Sequence, residues 1–221
     1  MKIVAINGSP RGRVSNTGVM VGAFLKGAAA AGAETNEIFL CEKSIRYCRG
    51  CHSCWSETPG RCVIEDDMAS VLSELAGVDM IILASPVFFN NISGTLKVFM
   101  DRLTVTGNPH VQTDDRGDAA GKTRALGAAP GLLMISNCGF PDRSQFEVIS
   151  LWMKRVAAMM GTAVIAEIYA TQGRLLCDPP QELKETAAGY LHDLEQAGSE
   201  IASGGKLSAE TVERLQRDLT P

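Results

Sequence analysis

The sequence lacks any long hydrophobic run. Across 221 residues nothing approaches the roughly 18 consecutive apolar positions of a membrane-crossing helix. An excess of one charge is missing too. Lys plus Arg is 21 and Asp plus Glu is 25, so the formal net charge is −4. No general affinity for nucleic acid or an anionic membrane follows from that balance. Aromatic residues are only 5%, so the core must be mainly aliphatic and each ring outside it is worth locating. Internal repeats and low-complexity tracts are absent. The histidines, His52, His110 and His192, are scattered, with surface or loop roles expected. No Ser/His/Asp or Cys/His set is supported by spacing, and no catalytic residue is assigned. The run Met1 to Ile6 meets Asn7-Gly8 too soon for the apolar region of a secretion signal, so a cytoplasmic location is expected.

What the sequence does have is cysteine, seven in all, with Cys48, Cys51, Cys54 and Cys62 in one short stretch. A chain of this length builds a core without disulfides, and a reducing cytoplasm disfavours them. The cysteines need another role.

Apolar runs alternate with helix-period segments. Lys2–Asn7, Glu34–Leu40, Asp79–Ser85, Gly131–Ser136 and Ala163–Ala170 read as strands, and Asp79–Ser85 is the clearest buried one. Helical patterns cover about Thr17–Ala31, Asp66–Leu75 and Ile92–Leu103. Another opens on a Ser144/Glu147 capping box and carries Phe146, Ile149, Met153, Val156 and Met160 on one face. Two amphipathic helices finish the chain. One turns Leu183, Ala187, Leu191, Leu194 and Ile201 inward, the other Val212, Leu215 and Leu219. Thr104–Pro130 reads as a long surface loop. This alternation predicts an α/β fold with a doubly wound, five-stranded parallel sheet and right-handed crossovers. Residues 1–180 would form the main domain and 181–221 its helical extension, with a cysteine-rich insertion, 41–66, after strand two. Ligands in such sheets bind beyond the carboxyl ends of the strands, so the loops after strands one, three and four matter.

The first of these loops, Gly8 to Thr17, joins a buried strand to a helix N-terminus, where free N–H groups and the helix dipole favour a phosphate. Ser9, Ser15, Asn16 and Thr17 add hydroxyl and amide donors, and Arg11 or Arg13 adds charge. A Walker loop counted from Gly8 would need lysine where Val14 stands, so ATP and GTP do not fit. The dinucleotide fingerprint fails as well, because Ser9 and Pro10 follow Gly8. A pocket for one terminal phosphate remains, beside the plainer reading of a capped polar turn.

Gly8 to Thr17 resembles the phosphate loop of the NADPH-dependent FMN reductase group of flavodoxin-like proteins. A second match is Ser85-Pro86-Val87-Phe88-Phe89-Asn90-Asn91 with the helix Leu96-Lys97-Val98-Phe99-Met100-Asp101-Arg102. The resemblance runs from residue 1 to about residue 170 and implies the strand order 2-1-3-4-5. It also implies FMN, whose phosphate would meet Ser9, Arg11, Ser15, Asn16 and Thr17. Its ring would meet Pro86, Val87, Phe88, Phe89, Asn90 and Asn91. Pro86 should end the pairing of strand three. Phe88 or Phe89 supplies an apolar face, and Asn90, Asn91 and loop amides suit a pyrimidine edge. The loop Ser136–Pro141 reaches the ring from the other side, through Asn137 and Gly139. Within it, Cys138 is either a reactive thiol or a small buried residue.

The cysteine spacing is Cys48-x2-Cys51-x2-Cys54-x7-Cys62. Thiolates two residues apart are typical of iron–sulfur loops, whereas zinc sites usually use two separated pairs. Ligand type alone does not separate iron–sulfur, zinc and free thiols; the spacing favours iron. With Trp55 and Cys62 to Met68, the pattern resembles the iron–sulfur flavoprotein branch of the same family. That implies a [4Fe–4S] cluster on Cys48, Cys51, Cys54 and Cys62. Arg46, Arg49, His52 and Arg61 flank these positions, either favouring an anionic cluster or simply solvated. Cys41 and Cys177 have no partner signal.

Three functions follow from the resemblance. One is an oxidoreductase passing electrons between a [4Fe–4S] cluster and FMN, with a ferredoxin-like or small-molecule electron donor or acceptor. The second is a cluster-free reductase of flavin or quinone with NAD(P)H as substrate. The third is a flavodoxin-like carrier without turnover of its own. A homodimer or homotetramer is expected, and neither a nucleic-acid nor a membrane partner.

Overall fold

The computed structural model describes residues 1–107, 112–113, 119–120 and 129–220. Most of the expected Thr104–Pro130 loop, with His110, lies outside them. Among the described residues there are seven strands: β1 (Lys2–Asn7), β2 (Glu34–Phe39), β3 (Met80–Pro86), β4 (Gln112–Thr113), β5 (Ala119–Ala120), β6 (Gly131–Asn137) and β7 (Val164–Ala170). The α-helices are α1 (Asn16–Ala30), α2 (Met68–Glu74), α3 (Gly94–Arg102), α4 (Glu147–Met160), α5 (Arg174–Cys177), α6 (Lys184–Gly204) and α7 (Ala209–Leu215). The main sheet is all parallel in the order β2-β1-β3-β6-β7, and β4 pairs antiparallel with β5. Counting only its own strands, the sheet has the expected order 2-1-3-4-5.

Strand periodicity divides the core into two layers. Ile3, Ala5, Met80, Ile82, Leu133 and Ile135 face Met20, Phe24 and Ala28 of α1 and Leu194, Ala197 and Ile201 of α6. Val4, Ile6, Ile81, Leu83, Leu132 and Met134 face α2, α3 and α4. The central strands are therefore buried on both sides, which is why they lack polar alternation.

At the α1–α6 seam, a Cβ on Gly27 would lie 1.7 Å from the Glu195 carbonyl oxygen, and one on Gly198 1.9 Å from that of Phe24. Only glycine permits this approach.

Three local expectations change. Ser144 does not cap α4. Asp142 accepts from the Ser144 amide (2.8 Å) and hydroxyl (2.7 Å), opening a tight 3-10 turn over Arg143–Phe146 that leads into α4. Both residues are good caps, and the path of the chain puts the carboxylate, two residues earlier, in the cap position. Pro86 does not end the pairing. It lies opposite Asn137, and the next bond toward β6 comes from the Val87 amide, 2.8 Å from the Asn137 carbonyl oxygen. Val212 is 37% exposed, because the short α7 docks through Thr211 and Leu215, one turn apart.

Candidate functional site

The loops after β1, β3 and β6 meet at the carboxyl edge of the sheet, and buried polar groups hold them there. Asn7, fully buried, accepts from the Ser9 amide (2.9 Å) and donates to Glu37 Oε1 (2.9 Å). Ser93 Oγ donates to the Gly8 carbonyl (2.6 Å), and the Ser93 amide donates to Ser85 Oγ (2.8 Å). Ser136 Oγ donates to the Ser85 carbonyl (2.7 Å). Gly8 is obligatory, since a Cβ there would lie 2.5 Å from Leu96 Cβ. Sequence reasoning missed Asn7 and Ser93; the signal was a polar residue ending a buried strand and a serine heading a helix. Burial raises the Glu37 carboxyl above the usual range, outweighing the Asn7 bond and the charge of Arg13.

The expected phosphate ligands divide into supports and faces. Ser15 caps α1, accepting from the Gly18 amide (2.9 Å) and donating to the Gly12 carbonyl (2.6 Å). Thr17, buried, accepts from Asn137 Nδ2 (2.8 Å), joining the first loop to the third. Ser9 is buried, and its Oγ lies 3.4 Å from the Arg11 amide. Arg11 is exposed and Asn16 half-buried. Arg13 turns away, stacking over Phe39 at 4.3 Å and pairing with Glu42.

The second loop is a tight reversal. Phe88 and Asn91 exchange amide–carbonyl bonds of 2.8 and 3.1 Å, with Phe89 (φ 50°) and Asn90 (φ 61°) at the corner. Positive φ at both corner residues is the type I′ pattern, which Asn tolerates and Phe does not favour. Phe89 projects wholly into solvent and Phe88 is 49% exposed. Phe140, from the third loop, is 67% exposed. In a chain with few aromatics, three uncovered rings on these loops make a ready face for a flat ligand. Asn137 is buried against Gly173 and Thr17, while Gly139 has open space around it. Cys138 is buried, which raises its thiol despite the bond from its Sγ to the Phe140 carbonyl (3.1 Å). That environment fits the packed residue rather than a reactive thiol.

The cysteine loop packs at the C-terminal end of α3. Trp55 Nε1 donates to the Thr104 carbonyl (2.7 Å), docking the loop on the turn after α3. Cys48 and Cys51 are exposed, Cys54 and Cys62 half-buried, and all are free thiols. Amide and hydroxyl bonds from Ser53 lower the Cys51 thiol. Burial, then the neighbouring Cys62, Cys51 and Cys48, raise that of Cys54. Four thiols with amide donors fit a thiolate-bound group in chemistry. Among the described residues, no three Cys, His, Asp or Glu side chains are gathered to hold a metal ion.

The sheet order and the site at its carboxyl edge define a doubly wound, flavodoxin-type protein. The chain belongs to the NADPH-dependent FMN reductase family, an oxidoreductase family, whose model matches residues 1–138. It is similar to an iron-sulfur flavoprotein of Methanocaldococcus jannaschii, 42% identical over 102 residues, 46% of this chain and 51% of that one. An iron-sulfur flavoprotein of Methanosarcina thermophila is 36% identical over 102 residues, 46% of this chain and 52% of that one. The chain spans about half the length of these curated relatives. Among solved structures it resembles the NAD(P)H:quinone oxidoreductase of Methanothermobacter marburgensis (TM-score 0.64, 13% identity, covering 91% of this chain and 98% of that one). The FMN-dependent NADH-azoreductase of Bacillus anthracis is similar at TM-score 0.63 and 17% identity, covering 91% and 99%. At such identities the likeness concerns the fold. No helix among the described residues is long and apolar enough to cross a membrane.

Proposed function

We propose that this chain is an FMN-binding redox protein that also holds a [4Fe–4S] cluster and passes electrons between the two. FMN exchanges one or two electrons and the cluster one at a time, which would join a one-electron donor to a two-electron acceptor. The observation that carries the reading is the free-thiol loop Cys48-x2-Cys51-x2-Cys54-x7-Cys62, docked by Trp55 on the turn after α3 in a chain of an FMN family.

The chain's own work is binding and spacing. Arg11, Asn16 and the amides at the head of α1 face the phosphate. Ser9, Ser15 and Thr17 fix that turn. Phe88, Phe89, Asn90, Asn91 and the Gly139 loop take the ring, with Pro86, Val87 and Asn137 setting the loop positions. Cys48, Cys51, Cys54 and Cys62 hold the cluster. We read residues 1–180 as the flavin domain and 181–221 as its extension, in a cytoplasmic homodimer or homotetramer that exchanges electrons with a ferredoxin-like or small-molecule partner.

Anaerobic purification with iron, sulfide and flavin analysis tests this. About four iron and one FMN per chain is the expected result; FMN without iron refutes the cluster. The family's own description favours a second reading, a cluster-free reductase using NAD(P)H. Steady NADPH oxidation by iron-free, FMN-loaded protein would establish it.

A further inference from the structure

We propose that Arg102 is the positioning residue of the cysteine loop, closing the neck of the loop and offering a donor to the sulfur of Cys62. The proposal rests on the ligand assignment above. Residues 46 and 66 bracket all four cysteines, and Arg102, at the end of α3 and 2% exposed, reaches both. Its Nη1 donates to the Arg46 carbonyl (2.8 Å) and to Asp66 Oδ2 (2.6 Å), and its Nη2 to Asp66 Oδ1 (3.1 Å).

Side-chain bonds, with one backbone bond, tie the two stems together. The Arg46 amide donates to Asp66 Oδ2 (2.9 Å), and its guanidinium to the Glu65 carbonyl (2.7 Å). Beside it, the Ser44 amide donates to Asp67 Oδ2 (2.6 Å), and the Asp67 amide donates to the Ser44 carbonyl (3.2 Å). Asp66 is the hub, with 3% of its side chain exposed. Burial alone would raise its carboxyl, but the Arg102 fork and the amides of Arg46 and Met68 hold it below the usual range.

One nitrogen of the guanidinium is left without a partner. Nε is buried and has no partner among the described residues. Besides Asp66, the ionisable group acting on the guanidinium is Cys62. Cys62, Asp66 and Arg102 line one cavity of about 620 Å³. A buried N–H without an acceptor is costly, and a thiolate sulfur at Cys62 is an acceptor of the right charge. Lysine would not substitute, since a point ammonium cannot fork onto a carboxylate while reaching a carbonyl and a sulfur.

The test compares wild type with Arg102→Lys and with the double variant Arg102→Met, Asp66→Asn. Removing both charges avoids leaving a buried carboxylate unpaired. Flavin stoichiometry reports the fold. Hydrogen exchange over residues 44–66 reports the clamp. Cobalt(II) titration of the iron-free thiols, read by thiolate-to-cobalt absorbance, reports the ligand set. The double variant is expected to keep FMN, to exchange its loop amides about tenfold faster and to bind cobalt about tenfold more weakly, the scale of a lost outer partner of a metal ligand. Arg102→Lys should fall between. If the double variant loses FMN, Arg102→Lys carries the test alone, because it keeps the charge and loses the fork. Unchanged exchange and cobalt affinity in the variant that folds would overturn the proposal. Faster exchange with no cobalt uptake even by wild type would support the clamp and overturn the ligand assignment instead.

Discussion

Gly198 offers a prediction in which two opposing effects are weighed by size. Glycine inside a helix is worse than alanine by about 0.5–1 kcal/mol, so propensity alone says that Gly198→Ala stabilises α6. The new Cβ would lie 1.9 Å from the Phe24 carbonyl oxygen and 2.9 Å from the Ala28 amide nitrogen. Both are backbone atoms and neither can rotate away. The helices must part by about 1 Å, which loosens packing along the whole seam. Overpacking of this kind costs about 1–3 kcal/mol, and backbone contacts this short place it at about 2–3 kcal/mol, so the contact outweighs propensity and a net loss of about 1–2.5 kcal/mol remains. At about 2–4 °C per kcal/mol for a chain of this size, Tm should fall by about 2–10 °C. Gly189→Ala is the matched control. It lies in the same helix with nothing within 4 Å of its Cβ, so Tm should rise by about 1–4 °C. Circular dichroism melts of the two variants decide the matter. Gly198→Ala melting at or above wild type would refute the reasoning. Because α1 opens at the loop proposed to hold the phosphate, flavin titration should also show weaker FMN binding in Gly198→Ala than in Gly189→Ala.

Cys51→Ala is expected to lose iron and sulfide while retaining FMN; full iron content in that variant would remove Cys51 from the ligand set. Asn137→Ala strips the donor from buried Thr17 and should cost about 1–3 kcal/mol in urea unfolding, with FMN affinity falling alongside. Glu37→Gln should raise the urea midpoint at pH 7. Burial holds the Glu37 carboxyl above its unfolded pKa, so its contribution to stability is full below about pH 4 and is lost as pH rises through the folded pKa. The two proteins should therefore converge near pH 4, and a constant gap across pH would contradict this.

Much of the fold was legible because its signals are local. Lys2–Asn7 read as a strand with the observed bounds, since a central parallel strand has no polar side. Gly161 closes α4 at φ 65°, a left-handed conformation that glycine adopts without strain. The capping of α4 was misread because Ser144 and Asp142 are both good caps, and only the path of the chain chooses between them. Val212 was misplaced because a two-turn helix can dock on either side of its apolar stripe. In the site, residue types were legible but their tasks were not. Ser15 and Thr17 are in the turn as expected, yet their hydroxyls face the protein's own amides.

Arg102 shows the boundary most clearly. The sequence contains it within a family-like helix, and nothing local marks it as more than a basic helix end. Its importance depends on residues 46 and 66 coming together across a long irregular loop, which only the packing of that loop on α3 accomplishes. By itself the sequence determined the alternation of strands and helices, the polar turn into α1 and the spacing of the four thiols, because each follows from neighbours along the chain. The tertiary structure decided which hydroxyls support and which face outward, how closely α6 approaches α1, and what closes the cysteine loop. Those outcomes depend on burial and on contacts between residues far apart in sequence, where a hydrogen bond or a missing methyl acts only once the surfaces have met.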